Sequence, residues 1–280
     1  MIKLFTVLIG LFLYTSITWA ETYKVYIGNS AGSLSDVYTR KIFDRVEKIT
    51  DDNFIIINRP GAEQMVAYQS MLEESKTNPN VIYSSGTSTQ VASYFSQPEL
   101  KLDPLKDTKS LILVTRVQYH LIVKQNSNIN SIADIKGSVN IGSSNNTNNT
   151  LIRLSNFNSS VQTIPYKSDN EVILALLKDE IQIASAISLN PLIRTHKDSI
   201  KIISNFDNLN VTGATGYTVP NNFSEEKLNK LNQAINQVLQ QPDIRVWFRE
   251  FMGTFPVGGA PDQYTQVLQQ FKRVIYDKSK

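Results

Sequence analysis

The chain has 280 residues, a formal charge of +3 and no cysteine. The missing thiols exclude a disulfide scaffold, a thiolate metal site, a cysteine nucleophile and a lipid anchor on a cleavage-site cysteine. Scattered basic residues leave no footprint for nucleic acid, and 41% hydrophobic with 19% charged residues describes a soluble globular protein of one large or two ordinary domains.

The first twenty residues read as a secretory leader. Lys3 gives a positive start, Leu4 to Tyr14 an apolar run, and Thr18-Trp19-Ala20 small residues at −3 and −1, the pattern cleaved after the last of them. The run is shorter than the ~20 apolar residues of a membrane span. Cleavage after Ala20 is expected to release a free periplasmic protein beginning at Glu21.

β-rich runs and helical patterns then alternate. Strands are predicted at 23–27, 54–58, 81–84, 111–114, 120–124, 139–142, 161–166, 181–186 and 201–204, with a further extended run at 215–219. Helices are predicted at 35–49, 62–77, 88–95, 132–136, 149–157, 169–179 and 192–197, the first with a stripe of Val37, Ile42, Phe43 and Val46. Ser168 and Asp169 stand before Val172, Ile173, Leu176 and Leu177 as a cap stands before a helix. Ser224 opens another helix through Leu228, Leu231, Ile235 and Leu239, which stops at Gln241-Pro242. Trp247 and Phe248 have helical spacing and read as core anchors. Such alternation predicts an α/β protein with parallel sheets, whose ligands sit at the carboxyl ends of strands.

Leu111–Arg116 and Tyr119–Lys124 are two extended segments with almost no turn signal between them. This is how a strand passes from one lobe to a second, and Thr215–Val219 offers the return. The expected division is lobe one at 21–117 plus 215–280 and lobe two at 118–214.

Four passages carry a resemblance to a known family: Gly32-Ser33-Leu34-Ser35-Asp36 with Arg40; Asn58-Arg59-Pro60-Gly61-Ala62; Ile132-Ala133-Asp134-Ile135-Lys136-Gly137 with Ile141-Gly142-Ser143-Ser144; and Ile164-Pro165-Tyr166-Lys167. Gly253-Thr254-Phe255-Pro256-Val257-Gly258-Gly259-Ala260-Pro261 adds a fifth. In this order they resemble the periplasmic solute receptors of tripartite tricarboxylate transporters (Bug or TctC type). The resemblance implies a bilobal periplasmic-binding-protein-like fold of type II, with two Rossmann-like lobes and crossover strands. It also implies a small organic acid ligand and integral-membrane permease partners. The chain departs from the family at Glu63-Gln64, where glycines are usual, at the Asn-rich 145–149, and at Ser185-Ala186.

Three small-residue loops follow strands and precede helices: Asn29, Ser30, Ala31 and Gly32 with Ser35 and Asp36; Ser85, Gly86, Thr87 and Ser88; and Gly142, Ser143, Ser144 and Asn145. Tyr166 and Ser168 flank the last of these. Backbone N–H groups at such loops receive a carboxylate, aided by about half a positive charge at each helix start. The alternative is an ordinary capped turn, with Ser35 or Asp36 capping the first helix. Arg116 and Tyr119 lie at the crossover, where a guanidinium suits a carboxylate or an interlobe ion pair. On the ligand reading, Thr87→Val and Ser143→Ala weaken binding and spare the stability of the free protein.

No catalytic constellation is present, since His120 and His196 stand far apart and no nucleophile or metal motif occurs. The expected protein is a monomeric receptor without cofactor or metal that serves a permease. The competing readings are a receptor for another polar solute serving an ATP-driven importer or a sensor, and an enzyme on the same scaffold.

Overall fold

Ten strands form two five-stranded sheets in a computed structural model that describes residues 20–87, 90–91, 102–144, 160–204 and 213–278. The first sheet contains β1 (Thr22–Ile27), β2 (Asn53–Asn58), β3 (Val81–Gly86), β4 (Thr108–Val117) and β10 (Gly213–Pro220), in the order β2-β1-β3-β10-β4. The second contains β5 (Tyr119–Lys124), β6 (Ser138–Ser143), β7 (Ser160–Pro165), β8 (Ile183–Ile187) and β9 (Ile200–Ser204), in the order β7-β6-β8-β5-β9. Only Gln118 separates β4 from β5.

The sheets are mixed, which corrects the expectation of parallel ones. In each sheet one strand is reversed. β10 runs antiparallel to β3 and β4, and β5 antiparallel to β8 and β9. The crossing explains this. β4 delivers the chain at its carboxyl end, where β5 starts, so β5 must run away from the edge toward which β6, β7 and β8 point. β10 plays the same part in the first sheet.

Described helices are α1 (Leu34–Thr50), α2 (Met65–Ser75), α3 (Pro104–Asp107), α4 (Asp169–Leu177), α5 (Pro191–Thr195), α6 (Glu225–Gln240), α7 (Pro242–Trp247) and α8 (Pro261–Lys278). Sequence logic is plainest in α6. Ser224 accepts from the Lys227 N–H at 3.5 Å, and Leu228, Leu231, Ile235 and Leu239 are all buried. Each such aliphatic side chain contributes about 1.5–3 kcal/mol by leaving water. Gln241 is extended at φ −61°, ψ 134°, as a residue before proline prefers, and Pro242 opens α7 without needing its missing N–H.

Other expectations change. The buried face of α1 is Tyr38, Thr39, Ile42, Phe43 and Val46, with Val37 outside it. The helix expected at 62–77 begins as a 3-10 turn, Ala62–Gln64, and that at 132–136 is a 3-10 turn, Ile132–Asp134, closed by a Ser131–Asp134 capping box. Phe248 is fully buried, whereas Trp247 is half-buried and stacks on Phe251 at 4.9 Å. The leader, most of the helix expected at 88–95, and that at 149–157 lie outside the described residues. The sequence reading also missed α8, although Tyr264, Val267, Leu268 and Phe271 give it a buried face at helical spacing.

The largest core joins the sheets. It unites Tyr23, Phe43, Leu111 and Leu231 around the first sheet with Tyr119, Leu121, Ile141 and Ile183 of the second. Ile122 belongs instead to a smaller core with Val172, Ile173 and Leu176. Successive β5 residues thus serve opposite faces, as a central strand requires. The glycine-rich passage after α7 covers β4, where Val257 and Gly258 donate to Val114 and Leu113 carbonyls at 2.8 and 3.0 Å. Gly258 (φ 75°) and Gly259 (φ 103°) are glycine for a reason: a Cβ on either would lie 2.5 Å or less from Asn236 or Gln263.

Candidate functional site

Register places the first two loops on one edge. Ile27 pairs with both Asn58 and Ser84, so the turns after β1, β2 and β3 emerge side by side. Asn58 ties them together. Its amide donates to the Asn29 carbonyl at 3.0 Å, and its Oδ1 accepts from Arg40 at 3.0 Å. Asp36 accepts from the Gly32 N–H and from Arg40, both at 2.9 Å. Burial pushes the Asp36 carboxyl up, but Arg40, the Gly32 N–H and the Asn58 amide outweigh it and hold the group below the usual carboxylate range. Ser35 donates to Asn29 Oδ1 at 2.8 Å. The cap of α1 is neither Ser35 nor Asp36 but Ser33, whose hydroxyl accepts from the Asp36 N–H at 3.4 Å. Ser30, Ala31 and Gly32 form the exposed crown of this loop.

Below it lies a floor of buried hydroxyls. Tyr38 is 3.4 Å from Ser84 Oγ, Tyr217 donates to Thr39 Oγ1 at 3.2 Å, and Ser85 meets the Tyr264 hydroxyl at 2.9 Å. Burial raises Tyr38, Tyr217 and Tyr264, so all three stay protonated donors. Thr87 is 1% exposed and bonds the Tyr119 hydroxyl at 2.7 Å, linking the end of β3 to the first residue of β5. That burial alters the expectation for Thr87→Val, because a cut partner inside the fold costs stability. Gly86 is half-buried beside the Ala214 carbonyl.

The second edge gathers the ends of β6, β7 and β8. Tyr166 donates its N–H to the Ser143 carbonyl at 2.8 Å. Gly142 is a packing glycine, since a Cβ there would stand 2.5 Å from Ile181 and 3.1 Å from the Tyr166 ring and Val172. Ser143 is buried. Ser168 caps α4 by accepting from the Glu171 N–H at 3.2 Å. Asp169 joins the edge: one oxygen accepts from Ser144 and the other from the Ile187 N–H at 2.8 Å. Burial raises its carboxyl above the usual range, a rise that the Ile187 N–H and Ser144 offset in part. Ser88 and Asn145 lie outside the described residues.

The sequence candidates therefore form two groups, one on each edge, bridged by Thr87 and Tyr119. Several of their described polar side chains are spent on partners within the fold. The groups left to meet a solute are backbone N–H groups of the loops and exposed cations such as Arg116. Among the described residues Arg116 pairs with no carboxylate, and no cluster of three His, Asp or Glu could hold a metal. Sequence reasoning missed Asn58, Tyr264 and the two-sided role of Asp169. Asn58, the last residue of β2, was named only as the start of the Asn58–Ala62 passage and not as a site residue.

Two α/β units joined by crossing strands, each with its loops at one strand edge, define a bilobal periplasmic-binding-protein-like fold of type II. The sequence matches the tripartite tricarboxylate transporter family receptor, TctC, over residues 38–280. The chain belongs to that family, and its members are solute-binding receptors rather than enzymes. Solved structures agree in fold. A periplasmic transporter superposes with a TM-score of 0.76 at 17% identity, over 94% of this chain and 96% of that one. MatC from Rhodopseudomonas palustris with bound malate gives 0.74 at 16% identity, over 93% and 99%. Rpa4515 of R. palustris with adipate gives 0.74 at 17%, over 93% and 96%. No curated protein matches the sequence. Among the described residues no helix is long and apolar enough to cross a membrane.

Proposed function

We propose that this protein is a periplasmic receptor that closes two lobes, 21–117 plus 215–280 and 118–214, around a small dicarboxylate and presents it to the permease of a tripartite tricarboxylate-type transporter. The observation that carries the reading is the spending of side chains at both strand edges, which leaves exposed loop N–H groups such as those of Ser30 and Ala31 as available donors. Such donors at helix starts take a carboxylate without a formal charge in the protein. A dicarboxylate has one such group for each edge. Family membership and the malate and adipate in related structures support the same class. The contacts fall to Asn29–Gly32, Ser35, Ser85–Ser88, Gly142–Asn145, Tyr166 and Ser168. Asp36 shapes the first loop. The leader ends at Ala20.

Native mass spectrometry of the undenatured protein, with malate, adipate and citrate added singly, tests the reading. Retention of one acid at 1:1 without turnover is expected. No retention of any of them, or release of a product, would sink it.

A further inference from the structure

We propose that Arg194 is a positioning residue for binding, a clasp that ties the second-sheet half to the first and favours the arrangement of the halves seen in this structure. The proposal rests on the receptor reading for its purpose, but its geometry is independent of any ligand.

Asn190 Oδ1 accepts from the Leu192 N–H at 2.9 Å and starts α5, with Pro191 at its first position. This sets Arg194 in the last turn, exposed. Its guanidinium reaches a different part of the fold, the π-helical turn Phe248–Met252. A helix end leaves its last carbonyls unpaired. Arg194 Nη1 donates to the Arg249 and Glu250 carbonyls at 3.2 and 2.9 Å, and Nη2 to the Phe251 carbonyl at 2.6 Å. A cation at such an end is favoured both by the aligned dipoles and by charge assistance. Among the described residues no carboxylate pairs with Arg194, so its polar contacts are these three across the halves.

The receiving turn is anchored in the first half. Phe248 and Met252 are fully buried. Just beyond, Thr115 of β4 donates to the Phe255 carbonyl at 3.0 Å and meets Thr254 Oγ1 at 3.2 Å. Gly253 completes the seat. It ends the turn at φ 67°, and a Cβ on it would lie 3.3 Å from Arg194 Cδ and Nε. The glycine thus permits both the backbone turn and the side chain lying over it. This accounts for the first residue of the Gly253–Pro261 passage, which the ligand reading leaves unused.

The two chain crossings, the shared core and the Thr87–Tyr119 bond already join the halves. The Arg194 contact is a further tie, made only while α5 lies against the turn, and it stabilises the conformations that contain it. It shifts the population by its own differential free energy. Loss of the clasp should therefore shift the free protein away from this arrangement and lower its affinity for ligand.

The chain's lack of cysteine makes a spin-label test direct. Labels at Lys48→Cys on α1 and Lys178→Cys after α4, both exposed, report the separation of the halves without ligand. Arg194→Ala, and independently Gly253→Ala, should shift or broaden the distance distribution. Arg194→Lys should recover part of the shift, because one ammonium cannot fan across three carbonyls. Where malate or adipate binds the parent, Arg194→Ala should bind it about tenfold more weakly. A distribution for folded Arg194→Ala that superimposes on the parent overturns the clasp, whatever the affinity does. Failure of every acid to bind, with the distances still shifted, removes the dicarboxylate reading and leaves the clasp standing.

Discussion

At the edge of the first sheet, hydroxyls from α1, β3, β10 and α8 meet beneath the loops, inside the largest core of the molecule. At the edge of the second, Asp169 links Ser144 after β6 to Ile187 at the end of β8, over a much smaller core. The first edge is held redundantly by neutral groups, with its one buried charge, Asp36, matched by Arg40. The second depends on an unmatched carboxyl. One edge is thus a rigid platform and the other a point whose strength varies with protonation.

The largest effect should come from breaking the platform. Tyr217 is fully buried and packs edge-on against Phe43 at 5.0 Å. Tyr217→Ala should cost about 3–5 kcal/mol in urea denaturation, through cavity and lost transfer together. Tyr217→Phe should cost about 1 kcal/mol, the worth of one hydrogen bond. A loss below about 1 kcal/mol for the alanine variant would contradict a redundantly packed first edge.

Asp169→Ala should follow at about 1–3 kcal/mol, because it removes the partner of the half-buried Ile187 N–H. The two acids also differ in sign with pH. Asp36 is lowered, so its contribution is present above the unfolded carboxylate pKa and lost as pH falls through the folded one. Asp169 is raised, so its contribution is full below the unfolded pKa and lost as pH rises through the folded one. Denaturation from acid to neutral pH should show Asp36→Asn falling further behind the parent as pH rises, and Asp169→Asn gaining on it. Parallel curves for the two variants would erase the distinction between the edges.

The sequence made the ten strands legible because their β-branched runs are bounded by turns, and it made the crossing legible because no turn divides Arg116 from Tyr119. It did not reveal strand direction, since periodicity is the same read either way. The first reversal follows only once β4 and β5 are placed in different sheets. Candidate loops were legible for the same reason as the strands they follow. Their internal bonding was not. Asn58 and Asn29 are 29 positions apart, and Ser85 and Tyr264 are 179 apart; no local pattern encodes such pairs. Ser33 lost the capping role to its neighbours on paper because Ser33 and Ser35 both precede apolar residues.

Thr87→Val offers a smaller effect that bears on the join between the edges. The Tyr119 hydroxyl would lose its buried bond to Thr87, for a cost of about 1 kcal/mol in the free protein. Ser143→Ala serves as its counterpart on the second edge. Thermal unfolding of both without ligand checks this. If Thr87→Val melts with the parent yet binds dicarboxylate less well, Thr87 is a ligand contact and not the bridge described above.

The smallest expected difference separates two serines of one loop. Ser33 stands at φ −67° and ψ 164°, outside the helix. Its hydroxyl faces the Asp36 N–H, and its carbonyl takes the first helical bond from Val37 at 2.9 Å. Removing that cap should cost about 1 kcal/mol. Ser35 lies within the helix and donates to Asn29 Oδ1 at a half-exposed position, where water can take over the bond. Ser35→Ala should therefore cost no more than about 0.5 kcal/mol of stability. Its effect on binding is a separate matter: by fixing Asn29, Ser35 sets the aim of the exposed N–H groups at Ser30 and Ala31. Denaturation and dicarboxylate titration of the two variants should rank them oppositely, Ser33→Ala worse in stability and Ser35→Ala worse in affinity. The same rank in both measurements would make the loop a plain capped turn.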